Sequence, residues 1–417
     1  MKQKWKTHKL SELTDKIGSG ATPRGGKEAY LDDSAISLIR SQNVLDFSFS
    51  IDGLAHISDE QAFELRNVTI EEEDVLLNIT GDSVARVCKV PKHILPARVN
   101  QHVAIVRANK EKLSPDFLKY FLLNPFNKKQ LLGLASSGAT RNALTKAMIE
   151  DFEIIAPNLP TQTRIAAILS ALDNKIELNL RMNQTLEAMA QAIYKEWFVK
   201  FNFPGAEPNH EYSVNNLPEG WSKKSIDSII TIQNGFAFKS SDFFDTGFNG
   251  VIKIKNISGN VIETENVQYI SKEVASKLDE RFKIKSGDLL IAMTGAEVGK
   301  VGFVPNTNKE LWLNQRVGSF KEKISGAKLF SYLVLSTPEY QKVLQDSASG
   351  SAQPNISASE IQRIETLIPE SKKIEQFGLI INPLFEKILE NLNQNQTLMR
   401  LRDNLLPRLM SGRIEVN

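Results

Sequence analysis

Residues 74–91 read DVLLNITGDSVARVCKVP, and residues 288–305 read DLLIAMTGAEVGKVGFVP. An apolar run, a Thr-Gly turn, a second apolar run and a closing proline recur in the same order, so the question is how far the likeness extends on either side. Downstream at the same displacement Asn100-Gln101 falls on Asn314-Gln315. FLKYFLL then meets FSYLVL with Tyr120 on Tyr332, and SSGATRNALTKAMIEDFEIIAP meets ASGSAQPNISASEIQRIETLIP with Pro157 on Pro369. NQTL occurs at 183–186 and again at 395–398. Upstream, WKTHKLSELTDKIGSGATP from Trp5 resembles WSKKSIDSIITIQNGFAF from Trp221. The chain of 417 residues is one unit of about two hundred residues written twice.

Each copy has two parts. The first, 1–157 and 218–369, mixes strand-like runs such as VLLNIT, VAIVRA and VIKIKNI with Gly and Asn turns and a short helix, an α+β pattern. The second part is a long helix, predicted over 158–202 and 370–412, with 203–217 as linker. No Gly or Pro interrupts Thr161 to Lys200, and apolar residues fall at Ile165, Leu169, Leu172, Ile176, Leu186, Ala190, Ile193 and Trp197. Steps of three and four make a coiled-coil seam. The second helix carries the matching stripe Phe377, Ile381, Leu384, Ile388, Leu398, Leu405 and Leu409, broken once by Arg402. In both, the two middle seam positions are asparagines: Asn179 and Asn183, Asn391 and Asn395. An antiparallel pairing would bring these polar layers together and penalise slipped registers, in which an amide faces leucine. Pro383 stands where the first helix has Ala171 and predicts a kink or restart near Asn382.

Composition excludes several classes. One cysteine, Cys88, cannot close an internal disulfide, and no charged-then-apolar leader precedes Trp5, which argues for a reducing cytoplasm. No apolar run approaches the roughly 20 residues that cross a bilayer. A net charge of +2 makes any nucleic-acid binding a matter of local patches. Catalytic chemistry is missing from the text. GAEVGK is one residue short of a phosphate-binding loop and lacks the hydroxyl after its lysine, and GSGATPRGG lacks the order strand, GxGxxG, helix. Five scattered histidines and a lone cysteine give no metal-ligand spacing.

Two α+β domains, each followed by a long helix, resemble the specificity (S) subunit of type I restriction-modification enzymes over essentially the whole chain. GDLLIAMTGAEVGKVGFV with the later LNQRV, SGSAQPNIS leading into IETLIPE, and the closing NLLPRLMSGRI carry the likeness. The resemblance implies two target recognition domains, each reading half of a split double-stranded DNA sequence, with the helices as an antiparallel coiled-coil spacer. It also implies methyltransferase (M) subunits docked on the scaffold, restriction (R) subunits in the full complex, and S-adenosylmethionine on the M subunit. Stretches such as 44–70 and 257–284 share little, so the two half-sites should differ and the target should be asymmetric. The runner-up is a coiled-coil protein-interaction adaptor that binds no DNA. The Asn-Pro-Pro-aromatic stretch of adenine methyltransferases is missing, so the chain is expected to be non-catalytic.

DNA contacts are expected from polar and basic side chains in loops between strands. In the first domain these are Thr22, Arg24, Lys27, Arg40, Gln42, Asn43, Thr80, Arg86, Arg141 and Asn142. In the second they are Phe238, Lys239, Lys253, Lys255, Asn256, Thr294, Lys300, Arg316, Ser351 and Gln353. Asn100-Gln101 and Asn314-Gln315 are expected to anchor a turn, because they do not vary between the copies. Asp82 and Ala85, where the second copy has Ala296 and Gly299, leave the geometry of the first Thr-Gly loop open.

Overall fold

A computed structural model describes residues 5–31, 34–136, 142–207, 212–259, 261–348 and 354–416. The chain divides into two compact units, Met1–Ile176 with Thr397–Asn417, and Glu177–Gln396. Each unit therefore takes in a piece of both long helices as well as its α+β part.

In the first unit an antiparallel sheet has the order Thr14–Ser19, Val103–Ala108, Val75–Asn78, Val87–Lys89. A second sheet sets Ile36–Ile39 antiparallel to Ala55–Ile57 and parallel to Ala97–Val99. The strand Val75–Asn78 is buried along its whole length. Its pleat explains why: Val75 and Leu77 face a core with Phe117, Leu118 and Tyr120, while Leu76 and the neighbouring Cys88 face another with Leu38, Ile39 and Val99. A strand covered on both sides has no solvated face, and its apolar residues run on rather than alternate.

The second unit repeats this frame. Ile230–Asn234, Val317–Glu322, Leu289–Ala292 and Val301–Phe303 form the same antiparallel order, extended by Val261–Ile262 and Ile257–Ser258. Asn249–Ile252 again lies antiparallel to one strand, Gln268–Ile270, and parallel to another, Glu310–Leu313. Leu289 and Ile291 pack toward Phe330 and Phe377, and Leu290 and Ala292 toward Ile252, Leu311 and Leu313. The additions sit at sheet edges, where strands can be appended without disturbing the shared layers.

The long helices span Leu159–Tyr194, closed by a π-helical turn Lys195–Val199, and Ser371–Met410. The second runs through Pro383 as one helix, so the restart expected near Asn382 does not occur. The ring lies on the exposed side, and the carbonyl it leaves without a donor belongs to Leu379, which is 75% exposed and open to water. Ile381, Phe385 and Ile388 on the opposite face hold the helix in the core. Within the second unit the helices run antiparallel: Asn179 Nδ2 donates to Asn395 Oδ1 at 2.8 Å and Asn391 Nδ2 to Asn183 Oδ1 at 2.8 Å. All four asparagines are buried. Within the first unit Ile165 and Leu169 meet Leu406, Leu409 and Met410. Arg402, the exception in the stripe, reaches Asp173 at 3.1 Å and lies over the Phe47 ring.

Candidate nucleic-acid interface

The same tight turn is built in both units. In the first, Asn100 N–H donates to the Ile39 carbonyl, Val103 N–H to the Asn100 carbonyl and Ile79 N–H to the His102 carbonyl. In the second, Asn314 N–H donates to Ile252, Val317 N–H to Asn314 and Met293 N–H to Arg316. The asparagine side chain closes each turn: Asn100 Oδ1 accepts from His102 N–H at 3.0 Å, and Asn314 Oδ1 from Arg316 N–H at 3.4 Å. A glycine lets the loop after the first sheet strand come against this turn. A Cβ on Gly20 would stand 1.7 Å from the Val99 carbonyl oxygen, and one on Gly235 would stand 2.2 Å from that of Leu313. No side chain fits there.

The Thr-Gly loop lies beside the turn. Gly81 N–H donates to the Asn142 carbonyl at 3.0 Å, and Gly295 N–H to that of Pro354 at 2.7 Å. Gly81–Ser83 and Gly295–Glu297 are both 3-10 turns, and the exit residue is left-handed in both, Ala85 at φ 63° and Gly299 at φ 86°. The Ala85 difference therefore leaves the geometry of the first loop unchanged, with alanine held in a conformation that glycine adopts more readily. Thr80 Oγ1 meets His102 Nδ1 at 2.6 Å, whereas Thr294, fully buried, donates to Asn355 Oδ1 at 2.6 Å.

Polar side chains around these loops fall into two groups. One group is spent on the loop itself. Asn43 is fully buried, accepts from Arg40 N–H at 3.0 Å and donates to the Ser50 carbonyl at 3.0 Å. Asn256 repeats this, accepting from Lys253 N–H at 2.9 Å and donating to the Asn266 carbonyl at 3.1 Å. Arg40 donates to the Gly53 carbonyl and lies over the Tyr30 ring; Gln42 reaches the Asp52 and Gly53 carbonyls, each at 3.2 Å. Lys253 stands 3.2 Å over the Phe243 ring and donates to Gln268 at 2.5 Å. Burial, then the neighbouring Lys255, lowers its pKa from the usual lysine value. Phe238 packs edge-on against Phe236 at 5.1 Å.

The other group is available to a ligand. Arg24, Lys239, Lys255 and Arg316 are exposed and Arg86 is half-buried, and none has an ion-pair partner among the described residues. Asn142 is exposed, and Lys300 is held by its neighbour Glu297 at 2.5 Å. An exposed pair of that kind is worth little, so a phosphate oxygen competes for the ammonium. The arrangement offers cations and amides on a stiff frame, which suits holding a polyanion.

The type I restriction modification DNA specificity domain matches this chain twice, over residues 2–188 and 218–398. The chain belongs to that family. The HindI specificity subunit of Haemophilus influenzae is 24% identical, with 98% of this chain and 99% of the relative covered. The MjaIX specificity subunit of Methanocaldococcus jannaschii is 27% identical over 71% of this chain and 68% of the relative. The crystal structure of an S subunit from M. genitalium shares the fold at a TM-score of 0.57, with 14% identity and 98% and 96% of the two chains covered. The part of this DNA specificity family in a restriction-modification system is sequence recognition rather than catalysis.

Asn43, Asn256 and Thr294 are corrected by the structure. All three are buried, and their polar atoms are taken up by backbone or side-chain partners, so they shape loops instead of facing a groove. Arg141, Ser351 and Gln353 lie outside the described residues, as does the side chain of Lys27. Sequence reasoning passes over His102 and treats Gln101 as part of an anchor. Asn100 alone does the anchoring; Gln101 is exposed, with its oxygen accepting from Thr22 Oγ1 at 2.5 Å and its nitrogen 3.0 Å from His102 Nε2. The signal is present in the letters: matched turns reading NQH and NQR differ only at the third.

Proposed function

We propose that this chain reads an asymmetric, bipartite double-stranded DNA site, one half-site per α+β unit, and carries methyltransferase and restriction subunits that act on it. The observation that carries this reading is the shared frame with unlike loop side chains. Turns, glycines and buried asparagines recur between the units, while at matched positions His102 is replaced by Arg316, Asp82 by Ala296 and Arg86 by Lys300. One frame with two sets of side chains suits two different half-sites.

The helices support the assembly part of the reading. Beside their paired faces they leave Leu178, Leu180, Met189, Leu379 and Ile380 between 44% and 75% exposed, which suits protein docking. No helix among the described residues is long and apolar enough to cross a membrane. S-adenosylmethionine belongs, in this reading, to the methyltransferase partner.

The test is methylation mapping. The full chain with its methyltransferase subunits and S-adenosylmethionine should methylate adenines in one split, asymmetric sequence, while the chain alone neither methylates nor cuts. A complex that methylates without regard to sequence, or methyl transfer by the isolated chain, overturns the reading. A purified chain that docks partners but binds no DNA identifies a protein adaptor instead.

A further inference from the structure

We infer that the tight Asn-Gln turn, residues 100–102 and 314–316, is where each unit reads a base pair: through the clamped amide of Gln101 in the first unit and the free guanidinium of Arg316 in the second. The inference rests on the DNA-reading function proposed above and assigns it to particular atoms.

Both turns have the same backbone hydrogen bonds, so the side chains at their tips start from the same place on the same frame. What they present is different. In the first unit Thr22 Oγ1 donates to Gln101 Oε1 at 2.5 Å, the Gln101 amide nitrogen lies 3.0 Å from His102 Nε2, and His102 Nδ1 is 2.6 Å from Thr80 Oγ1. This chain fixes the rotation of an exposed amide. With Thr22 donating to the oxygen, the NH2 group is turned to the ring nitrogen, and a neutral His102 gives its Nδ1 hydrogen to Thr80. One amide hydrogen and one oxygen lone pair are then left over, side by side. That is the donor and acceptor set which pairs with N7 and N6 of adenine in the major groove. His102 and Thr22 are positioning residues: they touch no base and hold the glutamine that does.

In the second unit the clamp is absent. Thr294 is turned to Asn355, and Arg316, at the His102 position, is exposed, its guanidinium with no partner among the described residues. A free guanidinium on a fixed turn has the fork geometry for O6 and N7 of guanine. The loop supplies reach: Gly20 and Gly235 bring the neighbouring chain against each turn without a side chain between.

The experiment selects bound duplexes from a randomised bipartite library, using the full chain with its methyltransferase subunits. Arg316→Met should lose an existing preference for a G·C pair at one position of the second half-site, by about tenfold to a hundredfold, with the first half-site unchanged. Gln101→Met should remove an A·T preference at one position of the first half-site alone. Thr22→Val and His102→Ala should relax that same position, and Thr22→Ser should retain it, a pattern that loss of folding does not produce. Circular dichroism melts confirm that each variant is folded. Equal weakening on every sequence with a smaller salt slope makes Arg316 a phosphate contact and overturns its role here, as does an unchanged preference. If the unaltered complex shows no split preference at all, the proposed function itself fails.

Discussion

The Asn391 side-chain amide donates to the Asn183 side-chain oxygen across 2.8 Å, with both residues buried between the long helices. The next polar layer, Asn179 with Asn395, repeats the contact at 2.8 Å. Removing one amide strands the other. Asn391→Leu should cost about 1–3 kcal/mol, because Asn183 then faces a side chain that cannot bond to it. Adding Asn183→Leu should recover most of that loss. A double-mutant cycle on chemical denaturation reads the coupling, and additive single effects would show that the amides do not depend on each other.

Asp173 gathers three buried partners: Lys119 at 3.2 Å, Arg402 at 3.1 Å and the Tyr120 hydroxyl at 2.6 Å. Burial, its largest cause, lowers the Lys119 pKa, and it raises that of Tyr120. Lys119 relies on this carboxylate to offset its loss of water, and Arg402 shares it with Asp403, which it reaches at 2.9 Å. Asp173→Ala should therefore destabilise the fold by about 3–5 kcal/mol. Glu273→Ala, which breaks an exposed pair with Lys277, should change stability by less than about 0.5 kcal/mol. Similar midpoints for the two variants in a denaturant titration would contradict the account.

Much of this architecture is legible in the sequence because a repeat prints its framework twice. The Thr-Gly loop, the Asn-Gln turn and the Asn layers can be matched letter by letter. Asn43 and Asn256 mislead for a physical reason: a polar letter between strands looks the same whether it faces water or a curled loop. Only the fold shows that the Ser50 and Asn266 carbonyls come round to meet those amides. As a signal for a helix restart Pro383 misleads, because the local rule counts a lost hydrogen bond but not the water available to the freed carbonyl or the core contacts on the other face. Gln101 is easily discounted because it recurs. Its use depends on Thr22 and His102, and only the first unit has that pair.

Cys88 is fully buried between the two sheets of the first unit, and burial pushes its thiol up to about 12. Neither a thiolate nor an approach path exists at pH 8 in the folded protein. An aromatic disulfide reagent should leave native protein unlabelled and titrate one thiol on unfolding in guanidinium. Native labelling at the rate of a free thiol would place Cys88 outside the core.

Gly235→Ala tests the packing of loop against turn. Its Cβ would stand 2.2 Å from the Leu313 carbonyl oxygen and 2.3 Å from the Asn314 backbone, neither of which can swing aside as a side-chain tip does. The loop carrying Phe238 and Lys239 has to move. Binding to the second half-site should fall at least tenfold while selection at the first half-site stays the same. Equal loss at both would point to general destabilisation, and no loss would remove this loop from the interface.

The helices offer the most direct test of a spacer. Their antiparallel register pairs Asn179 with Asn395 and Asn183 with Asn391, which puts Leu186 level with Ile388. A heptad added to one helix therefore needs its match on the other at the same level: after Leu186 in the first and after Lys387 in the second. Insertions placed at equivalent repeat positions, Leu186 and Leu398, would instead slide the asparagine layers past each other. The level pair keeps every seam contact and lengthens both helices by about 10 Å at roughly 1.5 Å per residue. At about 3.4 Å per base pair, the unread gap of the methylated site should grow by about 3 base pairs with both half-site sequences unchanged. Turning the DNA through that length also rotates its grooves, so binding should weaken as the gap grows. An active complex that keeps the original gap would show that something other than the helices sets the spacing.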